Sequence, residues 1–212
     1  TSEWLKANYP EIHILSGNST NWWTGSVKKA VDYCLDNDYH YILNLNADVV
    51  IDANDVFRLL ATSRENNNSI VASLVVDYKS PKIVAWAGSR FSKLHKFIPI
   101  YASKYVYKSG INIANIGLKP YEVDEVHGRG VIFPSSVFKE IGNYDGFSFP
   151  QYGGDTDFSF RAKANGIKML VDPRVISKVF TENTSLDHQS VYDYLFSRKN
   201  GEALRLFLNY FS

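Results

Sequence analysis

Along its first third, the chain alternates short β-branched runs with helical spacings. Apolar residues are concentrated in Glu11–Ser16 (E-I-H-I-L-S), His40–Asp48 (H-Y-I-L-N-L-N-A-D) and Ser69–Asp77 (S-I-V-A-S-L-V-V-D), which predicts three strands. Between the first two, Val27, Ala30, Val31, Cys34 and Leu35 recur at i, i+3, i+4, i+7, i+8, the spacing of one buried helix face. A second helix is predicted after Asp52, with Val56, Leu59 and Leu60 inward, and the polar run R-E-N-N-N-S closes it. Such alternation implies strands joined by crossover helices: an α/β fold with a mostly parallel central sheet flanked by helices. Ligands in that architecture sit at the carboxyl ends of the strands.

The regular alternation lapses over residues 78–121, which read as an irregular insertion or hairpin excursion. E-V-D-E-V-H-G-R-G-V-I-F-P then predicts strand, glycine turn and strand, followed by a short helix that ends at Gly142. An aromatic and glycine-rich loop, Y-D-G-F-S-F-P-Q-Y-G-G, leads to a helix beginning at Asp155, and K-M-L-V-D at 168–172 predicts a further strand. Residues 191–212 read as a C-terminal amphipathic helix with Tyr194, Leu195, Leu204, Leu206 and Phe207 among its apolar positions. No internal repeat interrupts this order, so residues 1–212 are read as a single domain.

Composition narrows the picture. A chain of 212 residues with 45% apolar content has material for a real core, which excludes intrinsic disorder, a disulfide scaffold and a fibre. Lys and Arg total 23 against 22 Asp and Glu, so the overall balance of +1 carries no footprint for nucleic acid or for an anionic membrane. The single cysteine, Cys34, cannot form an intrachain disulfide and favours a reducing compartment. No apolar run approaches the ~20 residues of a membrane span. Aromatic residues reach 15%, enough for a core with rings left over for flat ligands.

Four segments carry candidate chemistry. The apolar strand Tyr41–Leu45 ends in Asn46-Ala47-Asp48; on extended backbone the two oxygen-bearing side chains project on one side, which suits Mg²⁺ or Mn²⁺ shared with substrate phosphates. An Asx-turn at a strand end is the bland alternative. In Q-Y-G-G-D-T-D-F-S-F-R, Asp155 is expected at a helix N-cap, where amide donors and the helix dipole keep it ionised and available as a base. Plain capping by Asp155, with Asp157 paired to Arg161 at i, i+4, is the alternative. His127-Gly128-Arg129-Gly130 lets a guanidinium and backbone N–H groups approach phosphate or a sugar hydroxyl, or simply makes a tight turn. Trp22-Trp23-Thr24-Gly25 opens the first full helix, as a core plug or as a ligand platform.

In this order, the segments resemble family 2 glycosyltransferases of the GT-A fold, especially the rhamnosyltransferase-like members, from about Thr1 to Val179. In that family W-W-T-G opens a helix, L-L-N-x-D carries the metal-binding acidic motif, x-G-R-G precedes a strand, and Y-G-x-D-x-D-F-S-x-R-A contains the general base. They stand here as Trp22 to Gly25, Leu45 to Asp48, His127 to Gly130 and Tyr152 to Ala162. The resemblance implies that Asp48 helps hold a divalent cation and the donor diphosphate, that Asn46 takes the first position of the acidic motif, and that Asp155 is the base. Phe149, Tyr152, Trp22 and Trp23 would line the sugar and acceptor region with Gly25, Gly153 and Gly154, and Arg129 would stand near the same cleft. Three departures stand out: Gly154 replaces a glutamate, Lys28 and Ala30 replace an asparagine and a glycine, and no late histidine is evident beyond the distant His188.

The family also begins with a strand–helix–strand unit that binds base and ribose, and the chain is expected to lack it and to bind nucleotide sugars weakly. The implied activity is an inverting transfer of sugar from a nucleoside diphosphate donor to a hydroxyl on a glycan or lipid-linked glycan, as in bacterial polysaccharide synthesis. The implied setting is cytoplasmic, with peripheral contact at the inner membrane face and no nucleic-acid partner. A non-catalytic glycan- or nucleotide-binding module of the same fold is the first rival, and a metal-dependent phosphohydrolase the last.

Overall fold

The continuous apolar run I-V-A-S-L-V-V becomes the centre of the molecule because only a strand covered on both faces can bury every side chain. The computed structural model describes residues 2–18, 20–93 and 101–180; the predicted helix at 191–212 and His188 lie outside them. In chain order the elements are α1 (Ser2–Asn8), α2 (Trp22–Asp36), β1 (Tyr41–Leu45), β2 (Val49–Ile51), α3 (Ala53–Glu65), β3 (Ile70–Asp77), β4 (Val84–Trp86), β5 (Ser89–Lys93), β6 (Tyr101–Tyr105), β7 (Tyr121–Val123), β8 (Arg129–Pro134), α4 (Ser135–Ile141), α5 (Gly154–Ala164) and β9 (Met169–Val179). The main sheet runs β1-β8-β3-β9-β2, with β4 on β3 and β7 on β9, while β5 and β6 form a separate pair.

Helices cover both faces of the sheet. On one face Leu59 of α3 packs on Val71, Ile132, Leu170 and Val175. On the other, Val31 of α2, Phe138 of α4 and Phe158 of α5 pack on Val131, Phe133 and Val171. Alternation along β8 sends Val131 and Phe133 to one layer and Ile132 to the other, as the pleat requires. Many of the aromatic residues are spent here: Tyr144 stacks on Phe158 at 4.8 Å, and Phe133 and Phe138 meet the same ring.

Two expectations change. The α/β class with helix-flanked sheet holds, but β8 is antiparallel to both β1 and β3, and β3–β9 is the one parallel pairing among the described strands. Crossover helices do return β1, β3 and β9 in a common direction; β8 then inserts between β1 and β3 in reverse, a non-local pairing that local periodicity cannot reveal. The strand predicted at 11–16 is irregular and carries Ile12 and Leu15 exposed, because alternation makes a strand only where a neighbour supplies the hydrogen bonds. Likewise Ala30 faces solvent, while Val31 carries the buried stripe of α2.

Asp172 fastens α3 to β9. It is fully buried at a register shift between β3 and β9, accepting from Thr62 Oγ1 at 2.7 Å and from Arg174 Nε and Nη2 at 2.9 and 2.7 Å. Burial works against its charge, but Arg174 and Thr62 outweigh that and hold the carboxyl below its usual range. Its contribution is therefore complete above the ordinary value of 3.8 and is lost as pH falls below it. Asp172→Asn is expected to lower stability by about 2 kcal/mol at pH 7, the scale of hydrogen bonds to a charged group. Urea denaturation across pH should show the variant and the parent converging below about pH 4.

Candidate active site

The four segments singled out above lie in two pairs far apart along the chain, at 22–48 and 127–162, and meet at the carboxyl end of β1. There the Asn46 N–H donates to the Gly128 carbonyl at 2.9 Å, and the Trp23 indole N–H donates to Asn46 Oδ1 at 2.8 Å. The first turn of α2 is fixed in turn by the loop that precedes α5, for the Trp23 N–H donates to Gln151 Oε1 at 3.1 Å and the Thr24 N–H to the Pro150 carbonyl at 3.0 Å. Between these elements lies a cleft of about 250 Å³ whose walls include Trp23, Asn46, Arg129, Tyr152 and Asp155.

Asp155 reaches the floor of the cleft, where Oδ2 accepts the Gly128 N–H at 3.2 Å and stands 3.9 Å from His127 Nδ1. It is not the helix cap. Gly153 takes that place with a left-handed φ of +87°, which glycine adopts without strain, so that Asp155 lies inside the first turn of α5. Gly154 permits a close approach: a Cβ there would meet Thr24 Oγ1 at 2.6 Å and Cγ2 at 2.7 Å. The glutamate seen at this position in the resembling family has no room beside this threonine.

Other expected residues are placed differently. Phe149 is wholly buried and offers no surface to a ligand, because the loop folds it inward. Gly25 lies outside the cleft lining and serves packing instead, since a Cβ on Gly146 would come within 3.0 Å of its Cα. Trp22 opens α2 at φ +46°, half-buried, and is also outside the lining. Asn46 and Asp48 do not share one side of a strand: β1 ends at Leu45, and the Val49 N–H closes a turn onto the Asn46 carbonyl at 3.1 Å. Asp48 sits half-buried in that turn, beyond Asn46. Asp157 pairs with Arg161 at 2.9 Å as expected, but it is buried, and Arg161 also donates to the Ile141 and Asn143 carbonyls. The pair thus ties α4 to α5 and is no solvated surface bridge.

One buried acid at the site escaped the sequence reading, as did Gln151 and Thr156 of the lining. Glu125 is buried beneath the cleft, accepting from the Ser89 hydroxyl and from Thr156 Oγ1 at 2.8 Å, with His127 Nε2 3.9 Å from Oε1. Burial pushes its carboxyl up, but His127 and the Ser89, Ser103 and Thr156 hydroxyls prevail and hold it below the usual range. The readable signal was an acid alternating with Val123 on an inward strand face. His127 lies between two carboxylates with its ring edge-on to Trp86 at 5.0 Å. Burial pulls its pKa below the usual value, Glu125 opposes this and Arg129 adds to it.

No group of three His, Cys, Asp or Glu side chains able to hold a metal occurs among the described residues. Asp48, outside the residues lining the cleft, could offer one carboxylate, and one suffices for Mg²⁺ or Mn²⁺ when phosphate oxygens and water complete the shell.

A mixed α/β domain with a helix-flanked sheet and a cleft at the carboxyl end of one of its strands is the architecture of the GT-A glycosyltransferases, and the chain has that fold. It is similar to the crystal structure of GalNAc-T7 with UDP, GalNAc and Mn²⁺, with a TM-score of 0.59 and 12% identity over 84% of this chain and 34% of that one. The chain therefore spans about a third of the length of that protein. No protein family and no curated protein matches the sequence at a significant level.

Two outcomes follow from the packing and the charges. Gly154→Ala should cost about 2 kcal/mol by overpacking, and most of that loss should disappear in a Thr24→Ala background, as a double-mutant cycle by urea denaturation would show. For His127, a pKa below the ordinary 6.5 means that the folded state resists protonation, so its contribution is present above that pH and lost on acidification. The parent should lose stability between pH 7 and 5, and His127→Gln should lose less over the same interval.

Proposed function

We propose that the chain is an inverting glycosyltransferase that moves a sugar from a nucleoside diphosphate donor to a hydroxyl of a glycan or lipid-linked glycan. The observation that carries this reading is the position of Asp155, a carboxylate held by the Gly128 N–H at the floor of a cleft walled by an indole, a phenol and a guanidinium. The similar GalNAc-T7 structure contains UDP, GalNAc and Mn²⁺, which supports a nucleotide-sugar donor here.

In the proposed reaction Asp155 takes the proton of the acceptor hydroxyl as that oxygen bonds to the anomeric carbon. The bond from that carbon to the diphosphate oxygen breaks on the opposite face, and the diphosphate leaves with the electron pair. Asp155 keeps one oxygen on the Gly128 amide, which fixes the direction in which the carboxylate faces the acceptor. Arg129 presents its guanidinium to the donor phosphates, a geometry suited to planar oxyanions. Trp23 and Tyr152 offer rings to the sugar faces. Asp48, with the donor diphosphate, would hold a divalent cation that screens charge on the leaving group.

Gly154, standing where the resembling family has a glutamate, favours a second reading in which the cleft binds a nucleotide or glycan without turnover. The same experiment decides between them. Incubation with nucleoside diphosphate sugars, a hydroxyl acceptor and Mn²⁺ should release the nucleoside diphosphate and invert the anomeric centre, read by NMR of the product. Asp155→Asn should lower turnover by roughly 10²–10⁴-fold with little change in stability. Asp157→Asn should show the reverse, retaining turnover while losing about 2 kcal/mol, because it breaks a buried hydrogen-bonded pair. Asp48→Ala should abolish the Mn²⁺-dependent rise in melting temperature seen with a nucleoside diphosphate. Retained activity in Asp155→Asn would place the base elsewhere, and tight donor binding without release would establish the binding module.

A further inference from the structure

The run from Glu125 to Gly128 lies along the first turns of α5 and is bonded to it at three points. Glu125 accepts from Thr156 Oγ1 at 2.8 Å, the Val126 N–H donates to Ser159 Oγ at 3.1 Å, and the Gly128 N–H donates to Asp155 Oδ2 at 3.2 Å. A three-residue turn closes the run, for the Arg129 N–H donates to the His127 carbonyl at 2.6 Å. With its neighbours pinned on both sides, His127 has its ring set between two carboxylates. Nδ1 stands 3.9 Å from Asp155 Oδ2, and Nε2 stands 3.9 Å from Glu125 Oε1. The Arg129 guanidinium of β8 is the further charge that bears on the ring, and Trp86 of β4 meets it edge-on.

The two carboxylates differ in kind. Glu125 is buried, accepts from the Ser89 and Thr156 hydroxyls and is held in its charged form. It faces Nε2 and so favours the proton of a neutral imidazole on that nitrogen, which leaves the Nδ1 lone pair directed at Asp155. A lone pair there suits a carboxyl that has just taken up a proton. Separations of 3.9 Å are longer than hydrogen bonds, and contacts of this kind tighten when substrate binds and charge is shared. The Asp155 side chain is only 19% exposed, and ligands in the cleft would shield it further, whereas that of His127 is 35% exposed and meets water.

We propose that His127 takes the proton on from Asp155 and releases it to water, with Glu125 holding the imidazolium formed in between. This rests on the transferase reading given above and begins where that reaction ends. The proton that Asp155 received from the acceptor hydroxyl moves from its carboxyl to the Nδ1 lone pair. The resulting imidazolium stands between two charged carboxylates and then loses one proton to solvent, which restores the base for the next acceptor. His127 thus acts through Asp155 and touches no reacting atom of the sugar.

Two measurements test this, and the first needs no turnover. Nitrogen NMR of the His127 ring in the full chain, without donor, should show the neutral imidazole protonated on Nε2, and a proton on Nδ1 would overturn the proposal. In steady-state kinetics with a nucleoside diphosphate sugar and a hydroxyl acceptor, His127→Ala should lower kcat by about tenfold to a hundredfold, less than loss of the base itself, with KM little changed. Added imidazole should restore turnover in that variant, whereas pyrazole, of the same shape but hardly basic, should not. His127→Gln, which fills the space without a basic nitrogen, should stay slow and gain nothing from imidazole. Because the relay needs a neutral His127, turnover should fall on acidification, and Glu125→Gln should move that fall to lower pH by removing the anion that favours imidazolium. Unchanged kcat in His127→Ala beside an active parent, or equal rescue by pyrazole, would overturn the relay and leave the transferase reading standing. A parent that transfers no sugar would overturn that reading and the relay with it.

Discussion

The cleft depends on a seam where the first turn of α2 meets the start of α5. Two N–H groups at the beginning of α2 lack helical partners by construction, and here they are satisfied by Pro150 and Gln151 rather than by water. That bonding draws the loop before α5 against α2, and Gly154 lets the start of α5 close onto the Thr24 side chain, whose atoms a Cβ would meet within 3.0 Å. With the seam closed, the Trp23 indole can reach Asn46, and Asn46 can hold the carbonyl of Gly128. The Gly128 amide is then left facing Asp155. A change at the seam therefore displaces the proposed base without touching it.

Around this seam the molecule buries carboxylates, and each one is compensated. Asp172 is matched by an arginine and a threonine, Asp157 by Arg161, and Glu125 by hydroxyls with an imidazole nearby. Uncompensated, each would cost several kcal/mol of desolvation. The three fasten different joints: α3 to β9, α4 to α5, and the strand pair β5–β6 to the floor of the cleft.

Much of the fold was legible where neighbours in sequence are also neighbours in space. The apolar stripes of α2 and α3 and the buried runs of β1 and β3 report their own environment, and the order of the four motifs located the cleft. What escaped depends on partners far along the chain. The reversal of β8 between β1 and β3 is a pairing choice, and the alternation at 11–16 lacks a neighbour to make it a strand. Phe149 reads as a ligand platform because an aromatic beside glycines is ambiguous until burial is known. Gly154 looks like a lost glutamate until Thr24, 130 positions earlier, shows why nothing larger fits. Glu125 was open to inference from its place among inward valines, but its role required Ser89 and Thr156 to be seen around it.

The central claim is that a nucleoside diphosphate sugar occupies the space between Trp23 and Asp155. An NMR titration of the chain with such a donor reads this directly and detects weak binding. The account predicts progressive shifts of the Trp23 indole N–H, which now donates to Asn46, and of the Gly128 amide, which now donates to Asp155. Shifts confined to other parts of the chain, with these two signals unmoved at saturation, would contradict it.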